Sequence, residues 1–246
     1  ILPLNFNSPY KAVNIVEFWR RWHMTLSRFL GDYVYMPLTF SRFVQDFVYR
    51  PLGGKRHGNF WRYVTLILTM GLAGLWHGAA WTFVVWGLFH GVCLAVNHLW
   101  RACQQHWRLP SPLPRWATPW VARAFTLFLV VLSCAFFRAT DLTSASHLLA
   151  AMFGLGTPPA AGAPFLLRLN SWVWLTGLLA FVWLLPNTME IFIRDQPYPQ
   201  VLKEKSAAAA WWRWQPTLPW ALPLAALMVW GVLNLSQPSE FLYWQF

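Results

Sequence analysis

The sequence predicts an all-α membrane protein, a polytopic transmembrane helical bundle with additional interfacial or re-entrant helices. Hydrophobic residues make up 57% of the 246 residues and charged residues only 11%, whereas a typical soluble domain has about 25% charged residues. The apolar residues are gathered into runs of helix length, and most Lys and Arg residues lie between these runs. We therefore expect residues 1–246 to form a single membrane domain.

Apolar runs predict about five membrane spans, some of them shorter than the roughly 20 residues that a full crossing needs. The numbers of Lys and Arg residues before, between and after the runs are nine, none, four, two, four and none. By the positive-inside rule, this alternation places segments 1–62, 101–123 and 194–213 in the cytoplasm and segment 140–170 on the other side. The five runs are Asn59 to about Trp76, Ala80 to Trp100, Ala122 to Phe137, Trp172 to Ile193, and Leu218 to Leu235.

The chain has 19 Lys and Arg residues against 8 Asp and Glu residues. A basic excess of this size can indicate nucleic acid, but here the cations lie between apolar runs. They indicate anchoring at anionic membrane lipid instead, and no nucleic-acid partner is expected. The chain begins at Ile1 without a basic-then-apolar leader, which suggests the later part of a longer protein.

Residues 1–62 are too charged to span a bilayer and predict interfacial helices followed by a basic loop. Asn14, followed three residues later by Glu17, predicts a capping box at the start of a helix that runs through Leu30. Arg21 lies four residues after Glu17, a spacing that favours an ion pair on one helix face.

An internal repeat follows this helix start. Residues 27–38 match residues 41–52 at eight of twelve positions, with an offset of 14. Because Pro37 and Pro51 stand at the end of each copy, the repeat predicts two short helices, each closed by its proline.

The most specific stretch is 71–91, with the sequence GLAGLWHGAAWTFVVWGLFHG. Gly71, Gly74 and Gly78 are spaced at i, i+3 and i+7, so one side of a helix carries no side chains and another helix can approach closely. His77 lies beside this bare strip. An imidazole within a lipid-spanning segment is costly unless it faces the bundle interior, which makes His77 a candidate functional residue. The alternative is a packing histidine that is hydrogen-bonded to a neighbouring carbonyl.

His90 is the second histidine of this stretch, and Gly87 and Gly91 flank it. It is either a second polar group of a tunnel or a packing residue. Trp76 and Trp81 offer broad rings that can wall such a tunnel.

Four separated motifs in this order resemble the membrane-bound O-acyltransferase family, and most closely its alginate O-acetyltransferase branch. They are F-W-R-R-W-H (Phe18 to His23), P-L-G-G (Pro51 to Gly54), G-L-W-H-G (Gly74 to Gly78) and F-L-Y-W-Q-F (Phe241 to Phe246). The family pattern has one copy of the repeat before P-L-G-G, so the second copy here is a departure. Family members also carry further spans ahead of the first motif.

The resemblance implies the roles of two histidines. His77 occupies the position of the family's essential catalytic histidine in W-H-G. The family also places a polar residue ahead of that histidine in the same tunnel, and His23 fits this second role. Acyl transfer then needs a general base whose pKa lies near neutrality, which an imidazole supplies.

The donor implied by the resemblance is a cytoplasmic acyl thioester, with acetyl-CoA as the expected substrate and no bound cofactor. Arg20, Arg21, Lys55 and Arg56 are expected to attract the phosphates of the donor, while Trp76, Trp81 and His90 line the donor and substrate path. The acetyl group would pass to a periplasmic acetyltransferase partner and then to an exported polysaccharide, which implies a multi-pass protein of the bacterial inner membrane. Acetylation of another glycan or D-alanyl transfer would use similar motifs.

Other classes of function fit the sequence less well. No acidic residue occurs between Asp46 and Asp141, so carboxylates are absent near His77 and His90 in the sequence, and no metal site is expected. A transporter or channel also places histidines in the membrane, but it predicts inverted repeats of spans, and the only repeat lies outside the spans. A structural assembly subunit would need no thioester chemistry.

Overall fold

The computed structural model describes residues 3–44, 46, 50, 59–108, 114, 117–155, 169–192 and 213–235. Within these ranges the secondary structure is helical and contains no strand, which confirms the all-α class. Contacts between Cα atoms divide the chain into two compact units, a first unit of Leu2–Trp183 and a second unit of Leu184–Phe246. That 1–246 forms one membrane domain stays a prediction.

In the first unit, the connections between helices that are described throughout are short. A 3₁₀ turn (Pro9–Lys11) precedes α1 (Ile15–Arg21), α2 (Met24–Leu30), a π-helical turn (Gly31–Tyr35), α3 (Met36–Phe40), α4 (Arg42–Val44), α5 (Asn59–His77), α6 (Trp81–Trp107), α7 (Thr118–Arg138), α8 (Leu142–Met152) and α9 (Leu169–Leu184). The second unit contains α10 (Thr188–Ile191) and α11 (Leu218–Leu233).

Two of these helices, α6 with 27 residues and α7 with 21, are long and apolar enough to cross a membrane. They correspond to the second and third predicted spans. The first predicted span forms α5, whose bounds agree with the prediction to within one residue. The apolar parts of α8, α9 and α11 are shorter, with 10 to 17 residues each. That about five helices cross the membrane stays a prediction.

The predicted helix start and the Asn14 cap of α1 are confirmed, but the capping box is not complete, because the Glu17 side chain bonds Val13 instead of the N-cap backbone. The Asn14 side chain accepts a hydrogen bond from the Glu17 backbone N–H at 2.9 Å. The Glu17 carboxylate accepts the N–H of Val13 at 3.0 Å, and it also pairs with Arg21 at 2.6 Å. One glutamate therefore satisfies a backbone donor and anchors the next turn of the helix.

The prediction of one helix from Asn14 through Leu30 is wrong. The chain breaks at Trp22, which is extended, and at His23, which is left-handed with φ 43° and ψ 54°. The cause is a segment upstream in the chain, because the Met24 N–H donates to the Asn5 carbonyl and the Asn7 N–H donates to the Arg21 carbonyl, each at 2.9 Å. These two bonds satisfy backbone groups that the break removes from the helix.

Pro37 does not close a helix, which corrects the prediction for the first repeat copy. The helical path continues from α2 through the π-helical turn into α3, which ends at Phe40. Pro37 stands in the first turn of α3, where a missing N–H is tolerated, and the wider π-helical turn precedes it. Pro51 and most of the second copy lie outside the described residues.

The predicted span from Trp172 to Ile193 is interrupted, which is also a correction. α9 ends at Leu184, and α10 begins after a capping box in which Asn187 and Glu190 exchange hydrogen bonds, both of 2.8 Å. Pro186 precedes this cap. An X-Pro step disfavours helical backbone before it, and the box starts a new helix after it.

The core of the first unit lies where α1, α5, α6 and α7 meet. Glycines allow α5 and α6 to pack at short range, because a Cβ on Gly74 would overlap the Phe83 carbonyl and one on Gly87 would overlap the Met70 carbonyl. The predicted close approach is therefore confirmed, and the partner of α5 is the next helix of the same motif. The buried apolar core consists of Ala12, Ile15, Phe18, Trp19, Met70, Trp86, Leu94 and Val130.

Candidate active site

His77 is the last residue of α5, immediately before the turn that leads into α6. Its half-buried ring is enclosed by aromatic side chains. Trp86 of α6 and Phe137 of α7 each present a ring edge-on with centroids 5.2 Å away, and Phe83 lies at 6.3 Å. Three helices therefore contribute to the pocket around this imidazole.

The two ring nitrogens of His77 make no hydrogen bond to the described part of the chain. The structure thus differs from the packing alternative, in which a neighbouring carbonyl would hold the ring. An imidazole in an aromatic enclosure without a protein partner keeps a lone pair for a bound molecule.

His23 lies next to this enclosure. Its ring meets Trp76 edge-on with centroids 6.3 Å apart. The indole of Trp76 also contacts His77, at 4.9 Å. The structure therefore brings together the two histidines that the sequence selected, although they are far apart in the chain.

Asn5 fixes the position of His23. Its side-chain oxygen lies 3.2 Å from His23 Nδ1 and accepts hydrogen bonds from the Thr25 hydroxyl at 2.8 Å and the Thr25 N–H at 3.2 Å. Because an amide oxygen only accepts, we assign the proton of the neutral imidazole to Nδ1. Nε2 of His23 is then an acceptor.

His90 occupies a different environment from His77. It is 1% exposed and lies among the rings of Phe18, Trp19 and Trp86, with centroids 4.9 to 6.3 Å away. Its Nε2 is 2.9 Å from Oγ of Ser133. The structure places this histidine inside the core, and Trp86 contacts both His90 and His77.

The Ser133 hydroxyl determines the tautomer of His90. This hydroxyl donates to the Val130 carbonyl at 2.7 Å, so its oxygen accepts from His90, and we assign the His90 proton to Nε2. Nδ1 is then a buried acceptor without a protein partner. Such an atom is costly in the interior unless a water or ligand reaches it.

The two predicted tryptophans of the substrate path are both exposed. Trp76 is 63% exposed and Trp81 is 74% exposed, and Trp81 makes no ring contact within the described ranges. Both flank the turn between α5 and α6, as aromatic residues at a membrane interface do. Their part in a substrate path stays a prediction.

Two of the four predicted donor-binding cations lie within the described residues. Arg20 is exposed. Arg21 pairs with Glu17. Lys55 and Arg56 lie outside the described residues. These assignments stay predictions.

Several contacts of the site were not predicted. Ser133, Asn5 and Phe137 lie in stretches with no motif, and each reaches its histidine from a distant part of the chain. A hydroxyl within the apolar run of α7, which also contains Thr126, is the one signal that could have drawn attention to Ser133.

The chemistry open to this arrangement is proton transfer. No group of three His, Cys, Asp or Glu side chains capable of holding a metal occurs in the described part of the chain. An imidazole with an available nitrogen in an apolar enclosure can accept a proton from a hydroxyl bound beside it.

Comparison with known proteins identifies the family. The sequence profile of the membrane-bound O-acyltransferase family matches residues 1–43 and 38–140. The two matched stretches meet inside the 14-residue repeat, as expected if the family pattern holds a single copy. Which copy occupies the family position stays a prediction.

Three relatives indicate the range of similar proteins. A peptidoglycan O-acetyltransferase of Helicobacter pylori is 43% identical over 63% of this chain and 25% of its own length. A probable alginate O-acetylase of Pseudomonas putida is 36% identical over 98% of this chain and 46% of its own length. A teichoic acid D-alanyltransferase of Streptococcus thermophilus is 35% identical over 40% of this chain and 22% of its own length.

The chain thus spans less than half the length of these curated relatives. The family profile nevertheless covers more than half of the chain, including both His23 and His77. We conclude that this chain belongs to the membrane-bound O-acyltransferase family.

Proposed function

We propose that this chain forms part of an O-acyltransferase that moves an acetyl group from a cytoplasmic thioester donor toward an exported polysaccharide. His77 is the general base of the reaction. The oxygen of an acceptor hydroxyl attacks the thioester carbonyl carbon while the imidazole takes the hydroxyl proton. The carbon–sulfur bond then breaks, and the sulfur receives that proton as the thiol leaves.

The observation that carries this proposal is the contrast between the two membrane histidines. His90 is buried and hydrogen-bonded to Ser133, whereas His77 is half-buried and has no hydrogen bond within the described ranges. Only His77 therefore combines an available nitrogen with access from outside the core. The aromatic rings around it exclude water, which favours transfer to the acceptor over hydrolysis.

His23 assists the base. Its neighbouring position and its Nε2 lone pair allow it to orient the acceptor hydroxyl or to share the proton with His77. Asn5 holds the ring of His23 in place. His23, which Asn5 holds, would thus be the orienting group, and His77, which has no hydrogen bond within the described ranges, would be the base.

The proposed setting is the bacterial inner membrane, which the protein crosses several times. Basic segments on the cytoplasmic side would attract the phosphates of acetyl-CoA or of another acyl thioester. The acetyl group would then be passed to a periplasmic acetyltransferase partner. The names of the relatives, which include two O-acetyl-transferring enzymes acting on polysaccharides, support an exported polymer as the acceptor.

Transfer of D-alanine is the second candidate, because one relative is named a teichoic acid D-alanyltransferase. The chemistry at His77 would be the same, since a thioester carbonyl is attacked in both cases. The two candidates differ only in the acyl group and the acceptor.

The test is the acyl content of the exported polymers in cells with and without the gene of the full-length protein. We expect mass spectrometry to show loss of O-acetyl groups from a polysaccharide on deletion, and their return on complementation. Loss of D-alanyl esters instead would establish the second candidate. Unchanged acylation of every exported polymer would contradict the proposed function.

A further inference from the structure

A basic pocket lies at the end of the α5–α6 hairpin that is remote from His77. It has a volume of about 470 Å³, and its polar lining comes from the π-helical turn, the first turns of α5 and the last turns of α6. The polar lining residues are Tyr35, Arg62, Tyr63, His98, Arg101 and Gln105. None of them contacts His77, so the pocket is separate from the candidate active site.

The pocket concentrates positive charge. Arg62 and Arg101 line the pocket beside the half-buried ring of His98. Neither arginine pairs with a carboxylate in the described part of the chain, where the ion pairs join Glu17 to Arg21 and Asp46 to Arg50. Like charges at short range repel, and a bound anion would relieve that repulsion.

The donors of the pocket fit a phosphate better than a carboxylate. Two guanidinium groups provide planar forks for phosphate oxygens, and the phenols of Tyr35 and Tyr63 and the amide of Gln105 add further donors. A phosphate has more acceptor oxygens than a carboxylate and can use donors from several sides. The lining residues come from three elements, as such a ligand requires.

The position along α6 places the pocket at the membrane surface. Arg101 follows Trp81 by twenty residues, which is about 30 Å along a helix and equals the thickness of the hydrocarbon core. Beside the pocket, Leu99 and Trp100 are 51% and 52% exposed, and such apolar side chains can contact acyl chains. A headgroup held in the pocket would therefore keep its lipid tails against α6.

We propose that this pocket binds a phosphate group at the membrane surface, supplied either by the headgroup of an anionic phospholipid or by a soluble phosphate-bearing ligand. The site would fix the cytoplasmic ends of α5 and α6 relative to the bilayer. The inference does not rest on acyl transfer, because the pocket shares no lining residue with the His77 enclosure.

The experiment uses the full-length membrane protein, purified in detergent, and the double variant Arg62→Gln/Arg101→Gln. Native mass spectrometry measures retention of phosphatidylglycerol, with phosphatidylcholine, whose zwitterionic headgroup has no net charge, as the comparison. Calorimetric titration with inorganic pyrophosphate measures soluble phosphate binding. The matched control is Arg28→Gln/Arg42→Gln, which removes the same charge from two exposed arginines outside the pocket.

We expect the double variant to bind phosphatidylglycerol at least about tenfold more weakly than the control does, which would support the lipid source. A tenfold loss confined to pyrophosphate would support the soluble source. If the double variant does not purify, the same two binding measurements are made on the single variant Arg101→Gln, with the same outcomes. Binding of both probes that is no weaker than in the control would overturn the proposal.

Discussion

Nε2 of His90 lies 2.9 Å from Oγ of Ser133, and this buried hydrogen bond links α6 to α7. The serine oxygen accepts the imidazole proton while its own proton goes to the Val130 carbonyl. Since Nδ1 of His90 already lacks a protein partner, Ser133→Ala would leave the whole imidazole unsatisfied. We expect a loss of about 1–3 kcal/mol in the free energy of unfolding, measured by thermal unfolding in detergent.

Ser146→Ala is the matched control for this change. The Ser146 hydroxyl also donates to a carbonyl three residues earlier, that of Thr143 at 2.7 Å, but the residue is exposed on α8. Its replacement should change stability by less than about 0.5 kcal/mol. Equal effects of the two replacements would show that the hydrogen bond between Ser133 and His90 contributes nothing to the free energy of unfolding.

The close packing of α5 and α6 predicts a severe effect of one methyl group. In Gly74→Ala the new Cβ would overlap the Phe83 backbone carbonyl, which cannot rotate away as a side chain can. We expect a loss of about 1–3 kcal/mol or more, seen as a lower unfolding temperature and reduced yield. Gly231→Ala in α11 meets no atom within 4 Å and should leave stability unchanged or slightly raised. A Gly74→Ala protein as stable as the Gly231→Ala protein would refute the packing described here.

The N-cap of α8 predicts a pH dependence of stability. Hydrogen bonds from the Ser144 N–H, the Ser144 hydroxyl and the Thr140 hydroxyl lower the pKa of Asp141. A carboxyl with a depressed folded pKa stabilises the protein above its unfolded pKa, near 3.9, and loses that contribution as the pH falls through the folded value. Wild type should therefore be more stable than Asp141→Asn at pH 7, and this difference should shrink below about pH 4. A difference that is constant from pH 7 to pH 3 would contradict the role of the charge.

Local patterns in the sequence predicted the parts of the fold that depend on neighbouring residues. The cap made by Asn14 and Glu17 needs only a spacing of three, and α5 follows from one apolar run. The seam between α5 and α6 was visible as glycine spacing because both helices belong to one hairpin. In each case the stabilising contact lies within or just beyond the helix that the pattern describes.

Long-range contacts explain what the sequence could not predict. The break at His23 depends on Asn5, 18 residues away, and no periodicity reveals that pairing. The hydrogen bond between Ser133 and His90 likewise joins residues 43 apart in the chain, and no local pattern indicates it. The stretch 71–91 indicated both His77 and His90 as candidates, but the difference between their surroundings arises only when the helices pack.

The link between Asn5 and His23 predicts an effect on activity that exceeds its effect on stability. Asn5→Ala removes the acceptor for His23 Nδ1 and for Thr25, so the imidazole can turn or change tautomer. If His23 orients the acceptor, kcat for acyl transfer should fall by up to about 10²-fold. Thr25→Val leaves the contact between Asn5 and His23 in place and should retain most of the activity. An equal loss in both variants would indicate that Asn5 serves only to hold the backbone.

His77 provides the test of the mechanism itself. His77→Gln keeps a side chain of similar length with a hydrogen-bonding group, but it has no nitrogen that can accept a proton at neutral pH. A base in this position contributes about 10²- to 10⁴-fold to the rate, so the variant should leave the polysaccharide unacylated. His90→Gln is the comparison, because His90 is a core residue with a hydrogen-bonding partner, and its replacement should affect stability more than turnover.

The two histidine variants are compared at equal abundance in the membrane, with acyl content of the exported polymer and the unfolding temperature measured for each. We expect His77→Gln to unfold near the wild-type temperature, since its ring makes no hydrogen bond within the described residues, and to be inactive. His90→Gln should unfold earlier and keep activity in proportion to the folded protein that remains. A His77→Gln protein of normal abundance that still supports acylation would eliminate His77 as the base, while membership of the family would stand, because it rests on the match over residues 1–43 and 38–140.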